Sequence, residues 1–389
     1  MPRQKYLFVF GTRPEAIKMA PVLQALEADP RAESVVCVTG QHEELLTTVL
    51  NLFGIVPHYN LHVMSHNQQL GDLTARLLVE IGKVIAHEHP DWVLVQGDTT
   101  SAMAGAMAAF YAKVPVAHIE AGIRSHNKSE PFPEEVNRKI IDVMADVHFA
   151  PTSVDKQDLI REGHRSNTIH VTGNTCIDAL RYISALPFPS EGSVLESMPL
   201  LTKRLILVTV HRRENHGAPL EGICRSVAYL AERYRNTAHF ILPVHPNPNV
   251  KGTVLRHLGA ISNITVTPAL GYRELIAVAD ACHFAMIDSG GLQEELPCLG
   301  KPALVLRNVT DRRGSVIAGA ARLVGADPEA IVSSFIELME DSVVYEKMAQ
   351  HRDLFGDGRA GYRIASILQG WPTAQHVEEV ILNTASIAA

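Results

Sequence analysis

The sequence predicts an α/β protein made of two doubly wound halves, and three observations carry that expectation. The chain has 389 residues, beyond the size at which a single hydrophobic core keeps growing, so two domains are expected. Short apolar runs alternate with longer helix-patterned segments along nearly the whole length, the pattern of parallel strands covered by helices on both faces. One Pro- and Ser-rich stretch, Pro187 to Pro199, interrupts that rhythm and reads as a linker.

In the first half, strands are expected at Leu7 to Phe10, Val35 to Val38, Trp92 to Val95, Val114 to Ile119 and Val147 to Ala150. Helical stretches such as Leu70 to Ala86 and Ser101 to Ala112 separate them. A second series follows the linker, at Leu205 to Val210, Phe240 to Val244, Ile264 to Val266, Phe284 to Ile287 and Ala303 to Leu306. The expected division is residues 1–185 for the first domain and 186–364 for the second, with a terminal helix over 365–389 packing back on the first. Two such halves are expected to face each other across a deep cleft.

Composition narrows the function classes. Hydrophobic residues make up 46% and charged residues 20% of the chain, as in a globular protein, and no apolar run approaches the ~18 to 20 residues of a membrane helix. Arg3 and Lys5 lead straight into Tyr6-Leu-Phe-Val-Phe10, too short for a signal-peptide core, so a cytoplasmic location is expected. A net charge of -7 without a long basic run argues against nucleic-acid or acidic-membrane partners. Cys37, Cys176, Cys224, Cys282 and Cys298 are an odd, widely spaced set that suggests reduced core thiols. The nineteen histidines show no His-Glu-x-x-His or comparable spacing, so no metal is expected.

Ligands of open parallel sheets bind beyond the carboxyl ends of the strands, so the residues following each apolar run are the informative ones. Phe10 is followed by Gly11-Thr-Arg-Pro-Glu-Ala-Ile-Lys18, Val95 by Gln96-Gly-Asp98-Thr-Thr100, and Ile119 by Glu120-Ala-Gly-Ile-Arg124. In the second half Val210 is followed by His211-Arg-Arg-Glu-Asn-His-Gly217, Val244 by His245-Pro-Asn, and Ile287 by Asp288-Ser-Gly-Gly-Leu-Gln-Glu-Glu295.

The Ser289-Gly290-Gly291 turn suits an anion, because free amides point outward and no Cβ blocks approach. Glu295, one helical turn beyond Gly291, is placed to accept hydrogen bonds from a ribose. A plain capping turn explains Ser-Gly-Gly equally well on its own; joined to Glu295 and Arg13, the ligand reading is the better one. Asp98 and Glu120, taken singly, are as well explained by helix capping as by chemistry. Glu134, in Pro131-Phe-Pro-Glu-Glu-Val-Asn-Arg138, adds a third carboxylate, and with His211 opposite the set supplies general acids and bases whose repulsion spreads their pKa values. Arg212 and Arg213 fit either a solvated loop or a phosphate-binding edge. His245-Pro-Asn-Pro-Asn249 fits a rigid turn as well as a site.

At these residues the chain resembles the non-hydrolysing UDP-N-acetylglucosamine 2-epimerases, which have the GT-B architecture of two Rossmann-like domains. Gly11 to Lys18, Gly97-Asp-Thr-Thr100, His118-Ile-Glu-Ala-Gly122, Pro133-Glu-Glu-Val-Asn-Arg138, Thr172-Gly-Asn-Thr175, His211-Arg-Arg-Glu-Asn215, Asp288 to Glu295 and Gly356-Asp-Gly358 are similar to successive family signatures, in order. The resemblance implies interconversion of UDP-GlcNAc and UDP-ManNAc without NAD or metal, by anti elimination of UDP to 2-acetamidoglucal and re-addition, for surface polysaccharide precursors. It implies Asp98, Glu120 and Glu134 for proton transfer and His211 for the diphosphate leaving group. Arg13, Lys18, Ser289, Gly290, Gly291, Glu295 and Arg312 would bind UDP. A homodimer is implied, as is a second, activating UDP-GlcNAc held by residues matching Gln41, His42, Arg76, Arg212 and His245.

The chain also departs from the family pattern. Thr310-Asp-Arg-Arg-Gly314 stands where Thr-Glu-Arg-Pro-Glu is usual, Ser129-Glu130-Pro131 replaces Tyr-Ser-Pro, and Glu43 stands where arginine is common. Losing a carboxylate and gaining Arg313 suggests an alternative substrate, a modified UDP-sugar such as a diacetamido uronic acid. A GT-B glycosyltransferase is the nearest rival, since fold alone does not exclude it; three carboxylates that reach both faces of C2 are what a transferase has no need for. A catalytically idle UDP-sugar sensor is disfavoured by the intact acid/base residues. An NAD-dependent epimerase is disfavoured by the lack of Gly-x-Gly-x-x-Gly and Tyr-x-x-x-Lys patterns.

Overall fold

The computed structural model describes residues 3–40, 43–63, 68–186, 193–244 and 247–370. They form two compact units: one runs to Ala179 and takes up the chain again from Gly356, the other is Leu180–Phe355.

The first unit holds a parallel sheet of β1 (Gln4–Phe10), β2 (Ala32–Val38), β3 (Tyr59–Asn60), β4 (Trp92–Gln96), β5 (Val116–Ile119), β6 (Val147–Ala150) and β7 (Ile169–Val171). Their order is β3-β2-β1-β4-β5-β6-β7, with every pair parallel. Chain order reverses between β1 and β4, the switch point at which such sheets bind ligands. Tyr6 to Phe10 and Trp92 to Gln96 are buried on both faces, which explains why these strands read as unbroken apolar runs. Each buried Val, Leu or Phe contributes about 1.5–3 kcal/mol of burial free energy.

The second unit repeats the plan with β8 (Arg204–Thr209), β9 (Ala238–Val244), β10 (Ile264–Pro268), β11 (Phe284–Ile287), β12 (Ala303–Val305) and β13 (Ala321–Leu323). The order is β10-β9-β8-β11-β12-β13, so the switch point lies between β8 and β11. Its core joins Ile206, Val208, Phe240, Phe284 and Met286 to Val227, Leu230, Ile331 and Phe335 on the covering helices.

All ten expected strands are present, and the differences are at the edges. β3, β7 and β13 escape a periodicity reading because two or three residues at a sheet margin make no apolar run. The expected helices appear as Leu70–Glu88 and Thr100–Tyr111. Small residues let the second lie close on the sheet: a Cβ on Gly105 would stand 3.1 Å from Val9 and Val95. That helix starts just beyond Asp98, so its seating on β1 and β4 fixes the switch point. Of the linker, residues 187–192 lie outside the described residues and Val194–Ser197 is a 3-10 turn. Of the terminal helix, Ala360–Gly370 is described and crosses helix Arg13–Glu27 closely, the Gly361 Cβ position lying 2.6 Å from the Pro21 carbonyl oxygen. Residues 371–389 lie outside the described residues.

Among the described residues no helix is long and apolar enough to cross a membrane. The five cysteines form no disulfide with one another, and all but Cys298 are buried.

Candidate active site

In the first unit the polar residues beyond β1, β4 and β5 interlock. Thr12 caps helix Arg13–Glu27, and Glu15, 2% exposed, turns back to accept from the amides of Gly11 at 3.0 Å and Thr12 at 2.8 Å. Its other oxygen accepts from the Thr99 hydroxyl at 2.6 Å, which ties the β1 loop to the β4 loop across the switch point. Burial raises the Glu15 pKa, and hydrogen bonds from Thr99, Thr12 and Gly11 offset only part of the rise.

Arg13 is the first residue of that helix. Lys18, on its second turn, is buried, and its ammonium is paired with the Glu120 carboxylate. Lys18, which the resemblance implies for UDP, is in this structure a counter-charge to Glu120, a proton-transfer candidate. The same Glu120 oxygen accepts from Gln96 Nε2 at 2.6 Å. Glu120 itself follows β5 directly and has φ +67°, a left-handed conformation that a non-glycine residue adopts at a cost and that is common at functional sites.

Asp98 follows Gly97, which has φ +70°. Its Oδ2 accepts from Arg138 Nε at 2.7 Å and lies 2.6 Å from Nη2, while its carbonyl oxygen accepts from Asn137 Nδ2 at 2.9 Å. Asn137 and Arg138 lie on helix Glu134–Met144, whose first residue is Glu134. The next residue, Glu135, is 1% exposed and accepts from the amides of Ser125 and His126, each at 2.9 Å. Glu135 therefore anchors the loop, leaving Glu134, half-buried, as the candidate of that pair.

In the second unit His211 Nδ1 lies 2.9 Å from Asp288 Oδ1. The other Asp288 oxygen accepts from the amides of His211 at 2.9 Å and Arg212 at 2.8 Å, and from Asn215 Nδ2 at 3.0 Å. Burial works to raise the Asp288 pKa; the hydrogen bond and charge of His211, with those two amides, outweigh it and hold the carboxyl below its usual range. A carboxylate that stays ionised fixes the imidazole with Nδ1 inward and Nε2 turned away from it. The sequence reading did not assign Asp288 a role. Its signal is positional: it is one residue beyond β11, and Ile287 is in register with Thr209 of β8.

The Ser289-Gly290-Gly291 turn is flanked by two guanidinium groups. A Cβ on Gly290 would be 3.4 Å from Arg212 Nη2 and 3.7 Å from Arg312 Cζ. Glu295 N donates to Gly291 O at 3.1 Å, one helical turn, and Glu295 Oε1 accepts from the Tyr272 hydroxyl at 2.8 Å. Tyr272 is a second residue that the sequence reading missed. Arg312 Nε donates to buried Glu294 at 2.8 Å and Nη1 to Asp311 at 2.5 Å, so the altered segment brings a counter-charge of its own.

Of the five residues expected to hold an activator, Gln41, His42 and His245 lie outside the described residues. Arg76 is exposed on helix Leu70–Glu88 in the first unit, beside Gln68. Arg212 is at the Gly290 turn of the second.

The chain as a whole is similar to known proteins. The UDP-N-acetylglucosamine 2-epimerase family model matches residues 24–369. The chain belongs to that family. The UDP-N-acetylglucosamine 2-epimerase of Salmonella typhimurium is 43% identical over 372 residues, covering 94% of this chain and 99% of its own. The crystal structure of the UDP-GlcNAc 2-epimerase from Neisseria meningitidis bound to UDP-GlcNAc has a TM-score of 0.90 at 41% identity, over 95% of this chain and 100% of that one. The Methanocaldococcus jannaschii UDP-GlcNAc 2-epimerase in complex with UDP-GlcNAc and UDP has a TM-score of 0.81 at 31% identity, over 95% and 100% of the two chains. Like these epimerases the chain is built of two Rossmann-like units of the GT-B class.

Proposed function

We propose that the protein interconverts UDP-N-acetylglucosamine and UDP-N-acetylmannosamine. The C2 hydrogen of the pyranose is not adjacent to a carbonyl, so direct removal is difficult. Loosening of the C1–O bond to the diphosphate builds positive charge at C1 and acidifies C2–H. A carboxylate then takes that proton as UDP departs with the bonding electrons, leaving 2-acetamidoglucal. Return of UDP to C1 with delivery of a proton to the opposite face of C2 gives the epimer. Proton transfer and leaving-group stabilisation must act together.

The observation that carries this reading is the pair of carboxylates at the ends of adjacent strands, Asp98 after β4 and Glu120 after β5, each with a buried cation of its own in Arg138 and Lys18. Two separately partnered carboxylates suit proton transfer on two faces, and Glu134 adds a third group. On the second unit, His211 oriented by Asp288 serves the departing diphosphate. The Ser289 to Gly291 turn with Arg212 and Arg312 binds its charge, and Glu295, steadied by Tyr272, takes the ribose.

The proposal includes a cytoplasmic homodimer that forms polysaccharide precursors, and an activating second UDP-GlcNAc detectable as a sigmoidal rate curve for the reverse reaction. Proton NMR with UDP-GlcNAc in D₂O, without acceptor, NAD or metal, tests the main reading. Appearance of UDP-ManNAc deuterated at C2 is the expected result. Unchanged substrate that still binds would redirect the reading to a modified sugar, tested with a UDP-diacetamido uronic acid, or to a glycosyltransferase.

A further inference from the structure

Behind the carboxylates of the first unit lies a charged cluster fully closed to solvent. His118 and Asp142 are both 0% exposed, as is the side chain of Arg124. His118 Nδ1 is 2.6 Å from Asp142 Oδ1, and Nε2 is 2.8 Å from the carbonyl oxygen of Gly97. Arg124 Nη2 donates to Asp142 Oδ2 at 2.5 Å and to Glu162 at 2.7 Å. His148 Nε2 donates to the Asp142 carbonyl oxygen at 2.9 Å. Burying such charges is costly unless they are paired and hydrogen-bonded, so the cluster needs an explanation beyond core filling.

The connections supply one. The Gly97 carbonyl belongs to the peptide that leads into Asp98, and a carbonyl oxygen only accepts, so Nε2 donates to it. On the other side the Gly97 amide donates to Ile119 O at 2.9 Å. The left-handed Gly97 turn is thus gripped from both ends by β5. Asp142 meanwhile sits on helix Glu134–Met144, eight residues after Glu134 and on the side that carries Asn137 and Arg138 toward Asp98. One imidazole therefore joins the turn before Asp98, the strand that ends in Glu120 and the helix that begins with Glu134. Arg124, with Glu162 behind it, fixes the Asp142 end of the link.

We infer that His118, held by Asp142 and Arg124, is a positioning residue that sets the Asp98 carboxylate for proton transfer through the Gly97 carbonyl. It touches no substrate in this scheme. The inference rests on the proposal that Asp98 transfers a proton. Displacing a reacting group by about 1 Å can cost about 10²-fold in rate. His118→Asn shortens the link so that both partners are no longer spanned; Asp142→Asn keeps the shape and removes the charge.

The test compares His118→Asn, Asp142→Asn and Asp98→Asn in the full-length protein, with steady-state epimerisation and calorimetric UDP binding measured for each. The expected result is a kcat reduced by about 10²-fold in His118→Asn, and reduced in the same direction in Asp142→Asn, with KM and UDP affinity within about threefold of the parent. A merely structural role would instead weaken UDP binding and lower kcat together, and would overturn the inference. So would an unchanged kcat in both variants beside an inactive Asp98→Asn. Full activity in Asp98→Asn would remove the acid/base reading itself, a separate failure. If His118→Asn does not fold, Asp142→Asn decides alone on the same criteria.

Discussion

Each unit places a buried carboxylate at the point where its strand order reverses, and the two behave in opposite ways. Glu15, between β1 and β4, meets only neutral donors: the amides of Gly11 and Thr12 and the hydroxyls of Thr12 and Thr99. Burial wins there, and its pKa is raised. Asp288, between β8 and β11, meets amides as well but also the His211 ring, and its pKa is lowered. The same site in two versions of one fold thus becomes a brace between loops in one unit and the anchor of the His211 ring in the other. What differs is the partner: Asp288 has an imidazole nitrogen 2.9 Å away, whereas Glu15 has amides and hydroxyls. In the first unit the cations Lys18 and Arg138 go instead to Glu120, after β5, and Asp98, after β4. Of the proposed proton-transfer groups, Asp98 therefore lies beside the switch point and Glu120 one strand further along, while in the second unit Asp288 and the His211 it holds lie at the switch point itself.

The largest expected effect separates the units by function. Glu120→Gln removes a proton acceptor while keeping the shape that contacts Gln96 and Lys18, and should lower kcat by about 10³-fold with UDP affinity within about threefold. Glu295→Ala should do the converse, weakening UDP binding by about 10- to 100-fold, the loss of a charged hydrogen-bond partner, with a smaller effect on kcat. Isothermal titration with UDP and steady-state epimerisation on the same preparations give both numbers. Equal effects of both substitutions on UDP affinity would break the division of labour.

A smaller effect tests whether the second unit's switch-point carboxylate acts through its histidine. Asp288→Asn leaves an amide oxygen for the amides of His211 and Arg212 but puts an NH2 donor against Nδ1 in place of the carboxylate oxygen. His211 then loses its fixed orientation, and kcat should fall by about 10²-fold. Glu15→Gln, the corresponding change in the first unit, should leave kcat within about threefold, since Glu15 braces two loops by contacts that an amide largely keeps. A large loss of kcat in Glu15→Gln would show that the two switch points are more alike than their partners suggest.

Much of this contrast could be read from the chain because strands end where apolar runs end. Asp98, Glu120, His211 and the Ser289 to Gly291 turn each begin within three residues of the end of such a run, and in the structure each begins one or two residues beyond a strand. What could not be read was pairing between distant loops. Asp288 lies 77 positions from the His211 it orients, and Lys18 lies 102 from Glu120; both contacts depend on which strands are neighbours, which periodicity does not encode. Arg212 fits both a phosphate-binding edge and, by likeness, an activator site, and the structure puts its guanidinium near the Gly290 Cβ position. The short margins β3, β7 and β13 were missed because edge strands of two or three residues carry no hydrophobic period.

The smallest expected effect is a pH dependence of stability that has opposite sign for the two carboxylates. Asp288 has a lowered pKa in the folded state, so the unfolded chain binds its proton more readily. Its contribution is present above the unfolded carboxyl value and is lost as pH falls through the folded one. Glu15 has a raised folded pKa, so the folded state binds the proton more readily. Its contribution grows as pH falls through that raised value and levels off below the unfolded one. Between neutral pH and the ordinary glutamate range, acidification should therefore favour the first unit through Glu15; below the ordinary aspartate range it should disfavour the second through Asp288. Urea unfolding followed from pH 7 down to pH 3 for the parent, Glu15→Gln and Asp288→Asn measures this. Glu15→Gln should flatten the upper part of the stability profile and Asp288→Asn the lower part. A profile in which both substitutions flatten the same limb would mean that the His211 ring does not distinguish the two carboxylates, and that burial alone governs both.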